Sequence, residues 1–217
     1  MEERRKIVID PRDKALIIQR YTERHKKLGA SVAALGSGTS EHQTIRYRML
    51  SALGDMSGQK VLDVGCGFGG FFDYNRHLGE PMLYTGIDIV PSFIEEARAR
   101  YPEAEFFEMD IFEVPDDWKF DYVVSSQAFN NKFLYSDNWE IMQHVLVKCF
   151  RIATKGVAID MMSKYVDFRE DHLYYYDPCL VFDFCKKLTK RVAIRHDYPL
   201  FEFCVHMYPD FTGWRKV

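Results

Sequence analysis

Nowhere in these 217 residues does an apolar run approach the ~18–20 residues that a membrane-spanning helix needs. After the start, Met1-Glu-Glu-Arg-Arg-Lys, only a few apolar residues precede Asp10 and Pro11, too few for the core of a signal peptide. Cysteine is sparse. Cys66, Cys149, Cys179, Cys185 and Cys204 are odd in number and widely spaced, with no CxxC or Cys/His zinc pattern, so reduced and mostly buried thiols are expected. An excess of positive charge is missing as well: 29 Lys and Arg against 32 Asp and Glu give a net charge of -3. That balance lacks the basic surface of non-specific nucleic-acid binders, and the charged start from Glu2 to Lys6 is too short and mixed to act as a basic arm. These absences lead to the expectation of a soluble, cytoplasmic protein with a small-molecule substrate, no nucleic-acid or membrane partner, and a homodimer left open.

What is present is a globular composition, 47% apolar and 15% aromatic against 28% charged. A chain this size exposes roughly 37,000 Å² unfolded and ~10,000 Å² folded, so burying about 70% supplies an ample core. Residues 1–57 read as a helical lid or cap, and 58–217 as the main domain. Asp13 to about Gly29 is the first helix. Thr39 or Ser40 caps a second, with Ile45, Met49 and Leu53 spaced along one face. From Lys60 the texture alternates. Strands are expected at Val61–Val64, Leu83–Asp88, Glu105–Met109, Tyr122–Ser125 and Gly156–Ile159, with helices between them. An aromatic, acidic insertion from Met161 to Pro178 and a helix from Cys179 to Leu188 follow. Two final strands around a tight turn at Asp197–Pro199 form an antiparallel hairpin instead of another crossover.

The most informative segment is Asp63-Val-Gly65-Cys66-Gly67-Phe-Gly69-Gly70, between a strand and a helix. There a ligand can approach bare backbone and a helix N-terminus. The spacing Gly65-x-Gly67-x-x-Gly70 also satisfies a dinucleotide fingerprint, and Asp88 at the end of the second strand suits a ribose diol in either case. Three features favour S-adenosylmethionine over a dinucleotide. Asp63 would repel a pyrophosphate but not a sulfonium or an amino group. Asp110 and Ile111, after the third strand, can accept from an adenine amino group and cover its ring. The fourth strand delivers Ser126 and Gln127 beside the cofactor. Structural alternatives stand beside these: Asp110 as a turn cap, Ser126 and Gln127 as a plain turn, Cys66 as a small filler in the loop rather than a nucleophile.

Val61-Leu-Asp-Val-Gly-Cys-Gly-Phe-Gly together with Gly86-Ile-Asp-Ile resembles the class I S-adenosylmethionine-dependent methyltransferases over about Lys60 to Asp160. The resemblance implies an α/β fold with a seven-stranded, mostly parallel sheet of order 3-2-1-4-5-7-6, the last strand antiparallel, and helices on both faces. It implies S-adenosylmethionine as cofactor and S-adenosylhomocysteine as product. It places Asp63, Gly65, Cys66, Gly67 and Gly69 around the methionine part, Asp88 and Ile89 at the ribose, Asp110 and Ile111 at the adenine, and Ser126 and Gln127 along the cofactor.

Methyl transfer needs water excluded and the acceptor aligned, so a dedicated base is optional. The segment from Asp167 to Pro178 is the expected acceptor site, with His172 as the candidate base and Tyr174 and Tyr175 as stacking partners; a surface loop pinned by its aromatics is the alternative. On the helix after Thr39, His42 and Tyr47 are candidate substrate contacts, and Arg46 a partner for the methionine carboxylate or an acidic acceptor. A solvated helix face is the plainer reading of His42 and Arg46. Asn130 is a further substrate candidate, although no Asn-Pro-Pro-aromatic motif follows the fourth strand. Asp160 has no acidic partner at Ser125-Ser126-Gln127, so no catalytic metal is expected. The expected activity is methylation at oxygen or nitrogen of a small, planar or aromatic metabolite. An NAD(P)-dependent oxidoreductase and a non-catalytic S-adenosylmethionine-binding partner are the competitors; no Tyr-x-x-x-Lys pair supports the former.

Overall fold

The computed structural model describes residues 8–210; the charged start from Glu2 to Lys6 lies outside them. Three helices come first: α1 (Pro11–Leu28), α2 (Val32–Leu35) and α3 (Ser40–Ser51). Pro11 suits the first turn of α1, the Asp10 carboxylate accepts from the Arg12 N–H, and Gly29, at φ 64°, ends the helix where a side chain would be strained. Thr39 caps α3 through its hydroxyl, 3.2 Å from the His42 nitrogen.

The alternating part runs β1 (Lys60–Val64), α4 (Gly70–His77), β2 (Leu83–Asp88), α5 (Pro91–Arg100), β3 (Glu105–Glu108), β4 (Phe120–Ser125), α6 (Asn138–Ile152), β5 (Ala153–Met162), α7 (Pro178–Leu188), β6 (Arg191–Arg195) and β7 (Glu202–Tyr208). The sheet order is β3-β2-β1-β4-β5-β7-β6. The first five strands pair in parallel, and β7 is antiparallel to both β5 and β6. Strand β5 follows α6 directly at Ala153 and is longer than its apolar centre, Gly156–Ile159, suggests.

Parallel strands are covered on both faces, and alternate residues sort accordingly. Leu62, Val64, Val123 and Val157 join Met142, Val145, Leu146 and Cys149 of α6 on one side. Val61, Val124 and Ala158 join Leu50 of α3, Phe71 and Phe72 of α4, and Ile94 of α5 on the other. No helix among the described residues is long and apolar enough to cross a membrane. Because β2 lies to one side of β1 and β4 to the other, the crossovers part beyond the carboxyl ends of β1 and β4. A crevice opens there.

Candidate active site

The floor of that crevice is the loop after β1. Gly65, at φ 74°, lets its own N–H and that of Cys66 both reach the Ile87 carbonyl, at 2.8 and 3.0 Å. A Cβ on Gly65 would stand 2.4 Å from the Cβ of Ala128, so only glycine fits. Asp88 braces the same loop, its carboxylate accepting from the Gly67 N–H (3.0 Å) and the Val90 N–H (2.9 Å). Burial pushes Asp88 up to about 6 against the pull of those bonds. Asp63 is buried at the end of β1 and accepts from the Tyr84 hydroxyl at 2.6 Å. Burial lifts it to about 7, opposed by the Tyr84 bond and reinforced by the charges of Asp88 and Asp160.

On the β3 side, Asp110 accepts from the Phe112 N–H (2.7 Å) and pairs with Lys14 of α1 (3.0 Å). The turn-cap reading of Asp110 is therefore present, together with a tie to the N-terminal helix. A stronger tie is Asp13, buried on α1, whose carboxylate receives the N–H groups of Leu134 (2.8 Å), Tyr135 (3.1 Å) and Ser136 (2.7 Å). Helix α1 is thereby held beside the crevice, to which it contributes Ile17 and Tyr21.

After β4 the chain enters a polar network. The Ser126 hydroxyl donates to one Asp160 oxygen (2.7 Å) and the Gln127 N–H to the other (2.8 Å). Gln127 is the one non-glycine described residue with positive φ, at 58°. Its amide nitrogen donates to Glu202 of β7, which also receives Arg46 Nε (3.2 Å) and Nη2 (2.9 Å). Arg46 further donates to the Ser37 carbonyl at 2.8 Å. Asp160 is lifted to about 7 by burial, against Arg46 and Ser126.

The solvated-face reading of Arg46 is corrected here: it is 4% exposed. On α3 it is Arg46, Tyr47, Met49 and Leu50 that turn inward, while Ile45 is only half-buried. Sequence reading missed Glu202 as a partner and gave Asp160 no role. A single acid inside Phe201-Glu-Phe-Cys-Val, a run otherwise apolar, was the available signal.

The cleft so formed holds about 1030 Å³, open solvent at its mouth included. Asp63, Gly65, Cys66, Gly67, Asp88, Ile89, Asp110, Ile111, Ser126, Gln127, Arg46 and Tyr47 all line it. Gly69 is not part of that lining; left-handed, it caps the N-terminus of α4. The structure does not bring His42, Asn130, His172, Tyr174 or Tyr175 to that lining. His172 is exposed and lies 3.4 Å from the Glu170 carboxylate, with partial burial and the nearby Arg20 lowering its pKa. Tyr175 accepts from the Glu170 N–H (2.7 Å), and Tyr174 packs edge-on against Tyr176. Asn130 accepts from the Met162 N–H at 2.9 Å and so ties its loop to β5. Among the described residues no three His, Cys, Asp or Glu side chains are grouped to hold a metal ion.

Two buried acids, Asp63 and Asp88, thus line the cleft and two more, Asp160 and Glu202, stand behind it, with Arg46 the one buried guanidinium among the described residues. That balance fits a ligand bearing net positive charge and disfavours a diphosphate. Residues 61–156 match the family model described as a methyltransferase domain. A relative in Mycobacterium tuberculosis, named as a methyltransferase with no stated substrate, is 36% identical over 154 residues, covering 67% of this chain and 90% of that protein. The chain is a class I S-adenosylmethionine-dependent methyltransferase.

Further relatives of this methyltransferase align over shorter stretches. A phthiotriol/phenolphthiotriol dimycocerosates methyltransferase of Mycobacterium leprae is 28% identical over 54% of the chain, and a fatty-acid O-methyltransferase of Mycolicibacterium smegmatis 35% over 38%. The chain spans 44% and 31% of their lengths. Among solved structures, magnesium protoporphyrin IX methyltransferase of Synechocystis, with S-adenosylhomocysteine bound, shares the fold at TM-score 0.65 and 14% identity over 91% of this chain and 100% of that one. Human N-acetylserotonin methyltransferase, in complex with S-adenosylmethionine, does so at 0.66 and 14%, over 94% and 61%. The methyl donor is S-adenosylmethionine, and the oxidoreductase reading is set aside.

Proposed function

We propose that this methyltransferase acts on an oxygen or nitrogen of a small, planar or aromatic molecule with a largely apolar surface. The observation that carries the proposal is the mixed lining of one cleft. Asp63, Gly65, Gly67, Asp88, Asp110 and Ile111 gather at the ends of β1, β2 and β3. Around them, residues 9–47 and the segment after β4 contribute apolar Ile9, Ile17, Tyr21, Leu35 and Phe133 beside polar Ser37, Gln43, Arg46, Ser126 and Gln127. A cleft with this much apolar lining around a few polar groups favours an acceptor of matching surface.

In this reading Asp88 holds the ribose, Asp110 and Ile111 the adenine, and Asp63 faces the cationic end, whose charge it favours. When bound, S-adenosylmethionine supplies a methyl carbon activated by positive sulfur. The protein's part is alignment and exclusion of water, which residues 8–57 serve as a lid fastened at Asp13 and Lys14. A base at His172 is not required. The free thiols, four of them buried, suit a reducing compartment, and the cytoplasm is the proposed location.

The test is a panel of apolar aromatic phenols, amines and carboxylic acids assayed with radiolabelled donor. Tyr21→Ala and Phe133→Ala are expected to raise the KM of any accepted compound about tenfold while leaving S-adenosylhomocysteine affinity within twofold. Turnover confined to polar acceptors would refute the proposed acceptor class.

A further inference from the structure

Two carboxylates behind the cleft fix which atoms the cleft shows to its ligand. Asp160 and Glu202 are 2% and 4% exposed, and neither lines the cavity; Ser126 and Gln127 line it directly in front of them. While Asp160 is ionised, the proton of the Ser126 hydroxyl is committed to it at 2.7 Å, so the free valences of that oxygen are lone pairs. Glu202 offers Gln127 only lone pairs, and already receives two Arg46 N–H groups, so the amide atom facing it is the NH2. The Gln127 carbonyl oxygen is therefore the amide atom left for a ligand. The backbone is clamped as well, with the Gln127 N–H on the second Asp160 oxygen at 2.8 Å holding φ at 58°.

We infer that Asp160 and Glu202 are positioning residues which make Ser126 and Gln127 a hydrogen-bond-accepting wall, built to take an N–H or O–H of the ligand. That donor group has two sources: the ammonium of the methionine part, or the protonated oxygen or nitrogen about to be methylated. The inference rests on the cleft being the methyl-donor site and adds the polarity of one wall. The acids act only through the groups they orient. In Asp160→Asn the new amide donates to the Ser126 oxygen, turning the hydroxyl proton outward. In Glu202→Met the one oxygen on which Arg46 and the Gln127 NH2 converge is gone, and the Gln127 amide is no longer held with its carbonyl towards the cleft. The first change keeps shape and reverses polarity; the second keeps bulk and releases the amide.

The experiment is titration calorimetry at pH 8, where Asp160 is ionised, of both variants with S-adenosylhomocysteine and with sinefungin, which carries an amine-bearing carbon in place of the methylated sulfur. A loss of about tenfold for both ligands assigns the wall to the ammonium; the same loss for sinefungin alone assigns it to the side where the methyl acceptor sits. A change below twofold for both ligands in both folded variants overturns the inference. Failure of the unaltered protein to bind S-adenosylhomocysteine instead overturns the donor site itself. A purely structural role is separated by a double-mutant cycle: Gln127→Ala is expected to cost the same tenfold alone and almost nothing further in the Glu202→Met background. Should either acid variant misfold, Ser126→Ala and Gln127→Ala retain both carboxylates and read the same wall; binding within twofold in both overturns it equally.

Discussion

The two halves of the cleft are built by different means. The donor half is local: β1, its glycine loop and β2 lie within residues 60–88, and Asp88 braces a loop only twenty-one positions earlier through the Gly67 N–H. The half beside it is assembled from afar. Asp13 is bound to residues 134–136, Arg46 to Glu202, and Gln127 to both Asp160 and Glu202. Local geometry survives change elsewhere, whereas the distant contacts of Asp13 and Arg46 depend on the N-terminal helices staying docked. The donor half is thus expected to tolerate damage to the other side, and not the reverse.

The harshest challenge to that contrast is Arg46→Leu, which leaves Glu202 buried without its guanidinium. A loss of about 3–5 kcal/mol in unfolding free energy is expected, read by denaturant titration. A loss under about 1 kcal/mol would show that the distant network carries little. Next is Gly65→Ala, where a left-handed backbone and the 2.4 Å approach to Ala128 combine. About 2–3 kcal/mol of stability is expected to go, along with measurable binding of S-adenosylhomocysteine by calorimetry.

A gentler probe is pH. Burial raises Asp63 and Asp160 to about 7 and Asp88 to about 6, whereas unfolded carboxylates titrate near 3.8. Between those limits the folded protein binds more protons than the unfolded one. The contribution of these groups to stability is therefore whole below about 4 and declines as pH rises through 6–7. A cationic ligand favours the ionised acids, so donor affinity is expected to strengthen across pH 6–7 with protons released. Calorimetry at pH 6.5 in buffers of different ionisation enthalpy checks this; an enthalpy independent of buffer would refute it. The smallest effect belongs to His172→Ala: stability within about 0.5 kcal/mol and unchanged S-adenosylhomocysteine affinity, as an exposed side chain outside the cleft requires. A tenfold drop in turnover would restore His172 as a base.

Much of the donor half was legible residue by residue. Gly65, Gly67, Asp63, Asp88, Asp110 and Ile111 were named from spacing and all line one cleft, because strand, loop and helix are contiguous and their geometry follows from short-range rules. The aromatic segment after β5 drew attention by its chemistry, yet two isolated bridges, Asn131 with Leu173 and Ser163 with Tyr176, fold it down along its own flank. Nothing local distinguishes a tyrosine that stacks on a ligand from one that pins a loop. Arg46 shows the opposite error, a charge read as solvated because its partner lies 156 residues away.

By itself the sequence determined the alternation of strands and helices, the closing antiparallel hairpin, the glycine turn and the acid beside it. Each of these follows from hydrophobic period, backbone freedom and charge over a few neighbouring residues. Only the tertiary structure decided that Arg46 is buried, that Asp160 and Glu202 stand behind Ser126 and Gln127, and that α1 lies beside the crevice. Such pairings between distant residues depend on which strands the sheet sets side by side, and burial of a charge becomes tolerable only once its partner has arrived.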